Sequence, residues 1–130
     1  MYTFRFKVGP KKVGLGGKQL KYVARPYYAG KQREKDIVKQ TVENTRDVNE
    51  GMIYSILEAV TLEFREHLFL GHPVKLAGLG TFRISFDSAT HDSPDDFTAT
   101  DIKNPRIIFT PDMSLRKEMA QVLRFQEYKE

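Results

Sequence analysis

Gly71-His72-Pro73-Val74-Lys75-Leu76-Ala77-Gly78-Leu79-Gly80-Thr81-Phe82 is the stretch on which the reading of the fold turns. Just upstream, Asn49 is a suitable N-cap, and apolar side chains recur at Met52, Ile53, Ile56, Leu57, Val60, Phe64 and Leu68. Steps of three and four residues place them on one core-facing stripe of a helix that ends near Leu70. Gly71 falls one residue past that stripe, where a C′ glycine closes a helix. The period then changes. Pro73-Val74-Lys75-Leu76 reads as a short strand, Ala77-Gly78-Leu79-Gly80 as a tight turn, and residues 81–86 alternate as a second strand. Val74, Leu76, Phe82, Ile84 and Phe86 would share the buried face of this hairpin.

Working outward, residues 32–44 predict a first helix, with Ile37, Val38, Thr41 and Val42 at helical spacing, and Asn44-Thr45-Arg46-Asp47 breaks it. Downstream, Asp87, Asp92, Asp95, Asp96 and Asp101 occur with no Lys or Arg before Lys103. Within this insert Ser93-Pro94-Asp95-Asp96 combines an N-cap serine, a proline suited to the first helical position and two acids in the first turn. It predicts a short helix over 94–99 that carries Phe97 inward. Arg106-Ile107-Ile108-Phe109 reads as a third strand. Thr110-Pro111 opens a C-terminal helix to about Val122 with Leu115, Met119 and Val122 on its inner face, and Phe125 docks the tail. At the other end, residues 1–8 alternate as a strand that Gly9-Pro10 stops. Residues 9–18, with four glycines and a proline, read as a flexible loop. Residues 20–28 alternate again, and Pro26 favours a sheet edge. Whether these two strands pair with each other or elsewhere is open.

The chain has 130 residues, enough for one domain with its own core, or a domain plus an arm. It has no cysteine, which excludes disulfides, thiolate metal sites and cysteine nucleophiles. No apolar run approaches the roughly 18 residues of a membrane span. The N-terminus shows no secretory pattern, so the expected location is the cytoplasm. The net charge is only +4, but residues 1–35 hold ten Lys/Arg against the single acid Glu34, while the rest holds eleven against sixteen. A basic N-terminal third on a mildly acidic body points to a polyanion partner. Other chemistries find no support. Gly17-Lys18 is followed by Gln19 and preceded by Lys12 where a phosphate loop needs glycine, and Gly78-Leu79-Gly80 meets Arg83 where a dinucleotide fingerprint needs glycine. His67, His72 and His91 lack metal-ligand spacing, the acids of 92–101 lack a calcium-loop glycine, and no nucleophile elbow is present. No metal, cofactor, small-molecule substrate or enzymatic activity is expected.

The run from Gly71 to Phe82 resembles the bacterial histone-like DNA-binding family, the group containing HU and integration host factor. In that family a helix ends in Gly, and a Val-x-Leu strand leads to Gly-Phe/Leu-Gly-Thr-Phe. Here Gly71, Val74, Leu76, Gly78, Leu79, Gly80, Thr81 and Phe82 match. The order of elements from about Lys31 to Phe125 also fits. The resemblance implies an α+β, histone-like (HU-type) fold. It would have two N-terminal helices, a β-hairpin and saddle sheet with a modified arm, and a C-terminal helix, with an additional N-terminal β segment. Residues 1–30 would form a basic N-terminal β extension with a Gly-rich loop, and residues 31–130 the HU-like DNA-binding domain. It further implies an obligate homodimer that holds double-stranded DNA by its phosphates in the nucleoid.

The arm departs from the pattern. The family's arm is rich in arginine and ends in Arg-Asn-Pro-x-Thr-Gly. Here Pro94 falls near the proline position but is flanked by Ser93, Asp95 and Asp96, while Ser85, Asp87 and Thr90 replace basic positions. Pro94 reads as the start of a short helix and not as an intercalating wedge. Expected phosphate contacts are Lys75 and Arg83 of the hairpin, Lys103 and Arg106 where the arm returns, Arg116 and Lys117 of the last helix, and Lys11, Lys12, Lys18 and Lys21 around the N-terminal loop. The competing expectation is a protein-interaction scaffold of the same fold that has lost DNA bending, with the insert and the N-terminal strand as its partner surface.

Overall fold

A computed structural model describes residues Met1–Glu130. In chain order the elements are β1 (Tyr2–Val13), β2 (Gln19–Pro26), α1 (Glu34–Asn44), α2 (Glu50–Phe69), β3 (Val74–Leu76), β4 (Gly80–Ser88), β5 (Ile102–Pro111), α3 (Met113–Val122) and β6 (Leu123–Glu127). The architecture is α+β, with three helices and two three-stranded sheets. The chain divides into two compact units, one of Val38–Arg116 and one of Met1–Ile37 with Lys117–Glu130.

In the first unit, α2 begins and ends where its local sequence dictates. The Asn49 side chain accepts the N–H of Met52 at 2.9 Å, which satisfies one of the free donors of the first turn. At the far end Gly71 takes φ 92. Its N–H donates to the Leu68 carbonyl and the His72 N–H to the His67 carbonyl, each at 3.0 Å. That pair of bonds is a Schellman closure, and the left-handed backbone it needs favours glycine.

The sheet of this unit has the order β3-β4-β5, antiparallel throughout. Gly78, at φ 85, occupies the third position of the β3–β4 turn, closed by the Leu79 N–H on the Leu76 carbonyl at 3.0 Å. Asp112 ties that turn to the start of α3. Its carboxylate accepts the Gly78 N–H at 3.1 Å, its own N–H donates to Leu79 at 2.8 Å, and its carbonyl receives the Arg116 N–H. Gly80 is fixed by contact and not by φ. A Cβ there would strike the Thr110 carbonyl oxygen and lie 2.8 Å from the Phe109 ring. We expect Gly80→Ala to cost about 3 kcal/mol, or roughly 10 °C in thermal midpoint by calorimetry. An unchanged midpoint would mean that β4 and β5 do not approach this closely.

The expected apolar face of the hairpin exists, and β5 extends it: Val74 pairs with Phe82, Phe82 with Phe109 and Ile84 with Ile107. Phe64 of α2 meets Phe82 edge-on at 6.1 Å. In the single chain, however, this face is only partly covered. Phe109 and Ile107 remain 44% and 52% exposed, and Val38 and Leu68 are the only buried apolar side chains. Met52, Ile56 and Val60 form an open stripe along α2.

Several sequence expectations change here. The insert does not form one helix over 94–99. It folds as two 3-10 turns, Pro94–Asp96 and Ala99–Asp101, because Phe97 between them is extended (φ −77, ψ 137). Phe97 is half-exposed and packs edge-on against His91 at 4.8 Å instead of turning inward. The third strand spans Ile102–Pro111, longer at both ends than Arg106 to Phe109. Pro111 therefore closes a strand, opposite Gly80, and α3 starts at Met113.

In the second unit the sheet order is β2-β1-β6. Gly9-Pro10 does not stop the first strand, and β1 continues to Val13 before a 3-10 turn at Leu15–Gly17. Strands β1 and β2 pair antiparallel with each other. The Phe6 carbonyl faces the β6 side, accepting from Tyr128, so the even positions point that way. The β1–β6 ladder ends at Phe6. Pro10 therefore lacks its N–H only where no neighbour would use it. The tail is a strand, not merely a docked aromatic: β6 runs parallel to β1, with Phe125 opposite Phe4 and their rings 6.2 Å apart.

Candidate nucleic-acid interface

Strand pairing assigns each basic residue of the β3-β4-β5 sheet to a face, because residues directly opposite share one. Lys75 lies opposite Thr81, Arg83 opposite Ile108, and Arg106 opposite Ser85. Thr81, Arg83 and Ser85 alternate with Phe82 and Ile84, so Lys75, Arg83 and Arg106 all lie on the face away from the aromatic one. Lys103 joins them through a bulge. The register advances from Ser85↔Arg106 to Asp87↔Lys103, two residues on β4 against three on β5. The extra residue falls at Asn104-Pro105, where Asn104 adopts φ 54. Without it, Lys103 would point to the apolar face. All four cations are exposed.

One acid sits among them. Asp87 Oδ1 accepts from Arg106 Nη1 at 2.9 Å and Oδ2 from Asn104 Nδ2 at 3.3 Å. These two bonds, Arg106 first, hold the Asp87 carboxyl below its usual range. The pair neutralises Arg106 in the free protein. Asp87→Asn should release the guanidinium and remove the only acid of this face, so duplex affinity should rise about fivefold to tenfold at physiological salt. The check is a fluorescence titration; unchanged or weaker binding would mean that the pair faces away from the DNA.

Asp101 and Ser93 make local bonds within the acidic insert. Asp101 Oδ2 accepts the Thr98 N–H at 2.8 Å, and His91 Nε2 lies 3.1 Å from Asp101 Oδ1. The Thr98 bond and then His91 hold the Asp101 carboxyl low. The Ser93 hydroxyl accepts from the Asp95 N–H at 3.3 Å, with Pro94 at the first position of its turn. Pro94 is thus built into a capped turn. His67 stands 3.5 Å from Glu63 and its ring 5.9 Å from that of His72.

Arg116 and Lys117 are exposed on α3. Around the N-terminal hairpin, Lys11 lies directly opposite Lys21, Lys12 falls on the other face opposite Leu20, and Lys18 follows the 3-10 turn. Sequence reasoning did not single out Arg5, Lys7, Arg25 and Arg124 here. Strand register puts them on the same face as Lys11 and Lys21; the alternation of residues 1–8 and 20–28 was the available signal for Arg5, Lys7 and Arg25, and Arg124 had none.

Comparison with known proteins agrees with this architecture. No curated protein matches the chain. A solved structure from Bacteroides vulgatus ATCC 8482, described as a candidate bacterial DNA-binding protein, superimposes with a TM-score of 0.68 at 13% identity, over 96% of this chain and 47% of that one. The chain thus spans about half the length of that structure, and the likeness is one of fold. A family model described as the HU domain fused to wHTH, Ig, or glycine-rich motif matches residues 2–127. That match runs from the first residue of β1 to the last of β6, and the chain belongs to the HU-HIG family.

Proposed function

We propose that this protein is a non-enzymatic, histone-like DNA-binding protein that works as a homodimer in the nucleoid. The observation that carries the reading is the two-faced β3-β4-β5 sheet, with Lys75, Arg83, Lys103 and Arg106 on one side and aromatic side chains on the other. Four exposed cations on a continuous face suit a row of phosphates. Contacts of that kind fix position without reading bases, so binding is largely independent of sequence. Arg116 and Lys117 of α3 are further phosphate contacts, as are Lys11, Lys12, Lys18 and Lys21 of the basic, glycine-containing extension of residues 1–30 that precedes the DNA-binding body of 31–130. Pro94, held in a capped turn among aspartates, supplies no wedge, so the duplex is coated and not sharply kinked.

The dimer follows from the thin core. A chain of this length with two buried apolar side chains leaves Met52, Ile56 and Val60 in water. Burying such side chains is worth about 1.5–3 kcal/mol each, and a second copy covers the stripe symmetrically.

The test is binding to a duplex of roughly 30 base pairs, carrying a fluorophore pair at its ends, across a salt series. The expected result is tight binding at low salt, a slope of log affinity against log salt of magnitude at least about 4, and little approach of the ends. Absence of binding at low salt would overturn the reading and leave the fold as a protein-interaction scaffold.

A further inference from the structure

The β2-β1-β6 sheet is as two-faced as the other. On one side lie Phe4, Phe6 and Phe125. On the other, register collects Arg5, Lys7 and Lys11 of β1, Lys21 and Arg25 of β2, and Arg124 of β6. No Asp or Glu of the three strands shares that face. Glu127 falls on the opposite side, where it meets Lys129 at 3.9 Å. Glu130, past the end of β6, reaches Lys7 at 3.8 Å.

The arrangement is unfavourable for the sheet itself. Lys7 stands directly opposite Arg25, and Lys11 directly opposite Lys21. Like charges at such positions destabilise an antiparallel pair. A face serving only the fold would alternate signs there. Two of the cations are engaged by aromatic rings. Tyr27 and Tyr128 stack at 4.0 Å, with Lys7 Nζ 5.0 Å from both centroids and Arg5 Cζ 5.8 Å from that of Tyr128. The other four, Lys11, Lys21, Arg25 and Arg124, have no acidic partner. Gly9 leaves space between Lys7 and Lys11, and the Arg25 guanidinium lies over it, with Nη1 3.4 Å from where a Cβ would stand. The result is a linear strip of positive charge along β1, continued on both flanking strands. Guanidinium and ammonium groups in a row fit a linear polyanion better than a compact ligand.

We infer that this face is a second DNA phosphate-binding surface, separate from the β3-β4-β5 face and carried chiefly by Lys11, Lys21, Arg25 and Arg124. The inference rests on the DNA-binding reading above. Among the N-terminal cations it groups Lys11 and Lys21 on one face, and it adds Arg25 and Arg124 to them.

The test compares three full-length variants with the unsubstituted protein on the same duplex. One is Lys75→Ala/Arg83→Ala/Lys103→Ala/Arg106→Ala, one is Lys11→Gln/Lys21→Gln/Arg25→Gln/Arg124→Gln, and one combines them. The first variant should retain salt-dependent duplex binding. Adding the second set should weaken that residual binding at least tenfold and reduce the magnitude of its salt slope by about 3 to 4. The Gln variant should melt no lower than the parent, because it relieves repulsion; this separates loss of contact from loss of fold. If the Gln set leaves affinity and slope unchanged, the second surface is refuted while the first stands. If the Ala set has no effect and the Gln set abolishes binding, the first surface is refuted and the second stands. If the unsubstituted protein binds no duplex at low salt, both fail. Binding of the Gln-sensitive face to anionic phospholipid vesicles, with no Gln-sensitive contribution to duplex binding, would also overturn it.

Discussion

Replacing Lys75, Arg83, Lys103 and Arg106 together with Ala should lower duplex affinity by about a thousandfold at physiological salt. Each phosphate contact releases counterions, and four such contacts contribute roughly a factor of 10³ to the binding constant at ~0.15 M salt. The substitutions touch neither the Phe82–Phe109 face nor the Gly78–Asp112 tie, so circular dichroism and the oligomeric state should be unchanged. Removing Arg106 alone should have a smaller effect than removing Lys75 or Arg83, since Asp87 already holds it at 2.9 Å. A quadruple variant that binds as tightly as the parent would move the interface off this sheet.

Ile56→Asp should break the proposed homodimer. Ile56 is 56% exposed in the single chain and lies between Met52 and Val60 on the open stripe of α2. In a symmetric dimer the change buries two carboxylates against apolar surface, at a cost of several kcal/mol or more. Sedimentation equilibrium should show the dimer dissociation constant raised by at least about 10³-fold. Duplex affinity should fall with it, because each protomer alone offers half the contacts. Ile56→Leu, which keeps volume and apolarity, should stay dimeric. If Ile56→Asp remains a dimer of normal stability, the interface lies elsewhere.

The parts of this fold legible in the sequence are those written within a few residues. Asn49 and Gly71 mark the ends of α2 through bonds that span three to five positions. Gly78 and Gly80 mark the β3–β4 turn, one by its positive φ and the other by its contact with the neighbouring strand. The parts that were not legible depend on distant partners. Gly9-Pro10 looks like a stop until β6 is known to end opposite Phe6. Residues 123–127 carry no strong strand pattern, and they become β6 only by pairing with β1 from the opposite end of the chain. Pro111 reads as a helix opener but completes β5 opposite Gly80.

The candidate site divides in the same way. Lys75 and Arg83 follow from simple alternation around Val74 and Phe82. Lys103 reaches their face only through the bulge at Asn104-Pro105, which no period reveals. Arg124 was hidden because its face is set by the strand it pairs with.

The most direct measurement is lysine acetylation of the full-length protein with and without a bound duplex, read site by site by mass spectrometry. DNA held on the β3-β4-β5 face should protect Lys75 and Lys103, while Lys129, paired with Glu127 on the apolar side of the other sheet, continues to react. Equal modification of Lys75 and Lys103 in the free and DNA-bound protein would contradict the assignment of that face as the DNA interface.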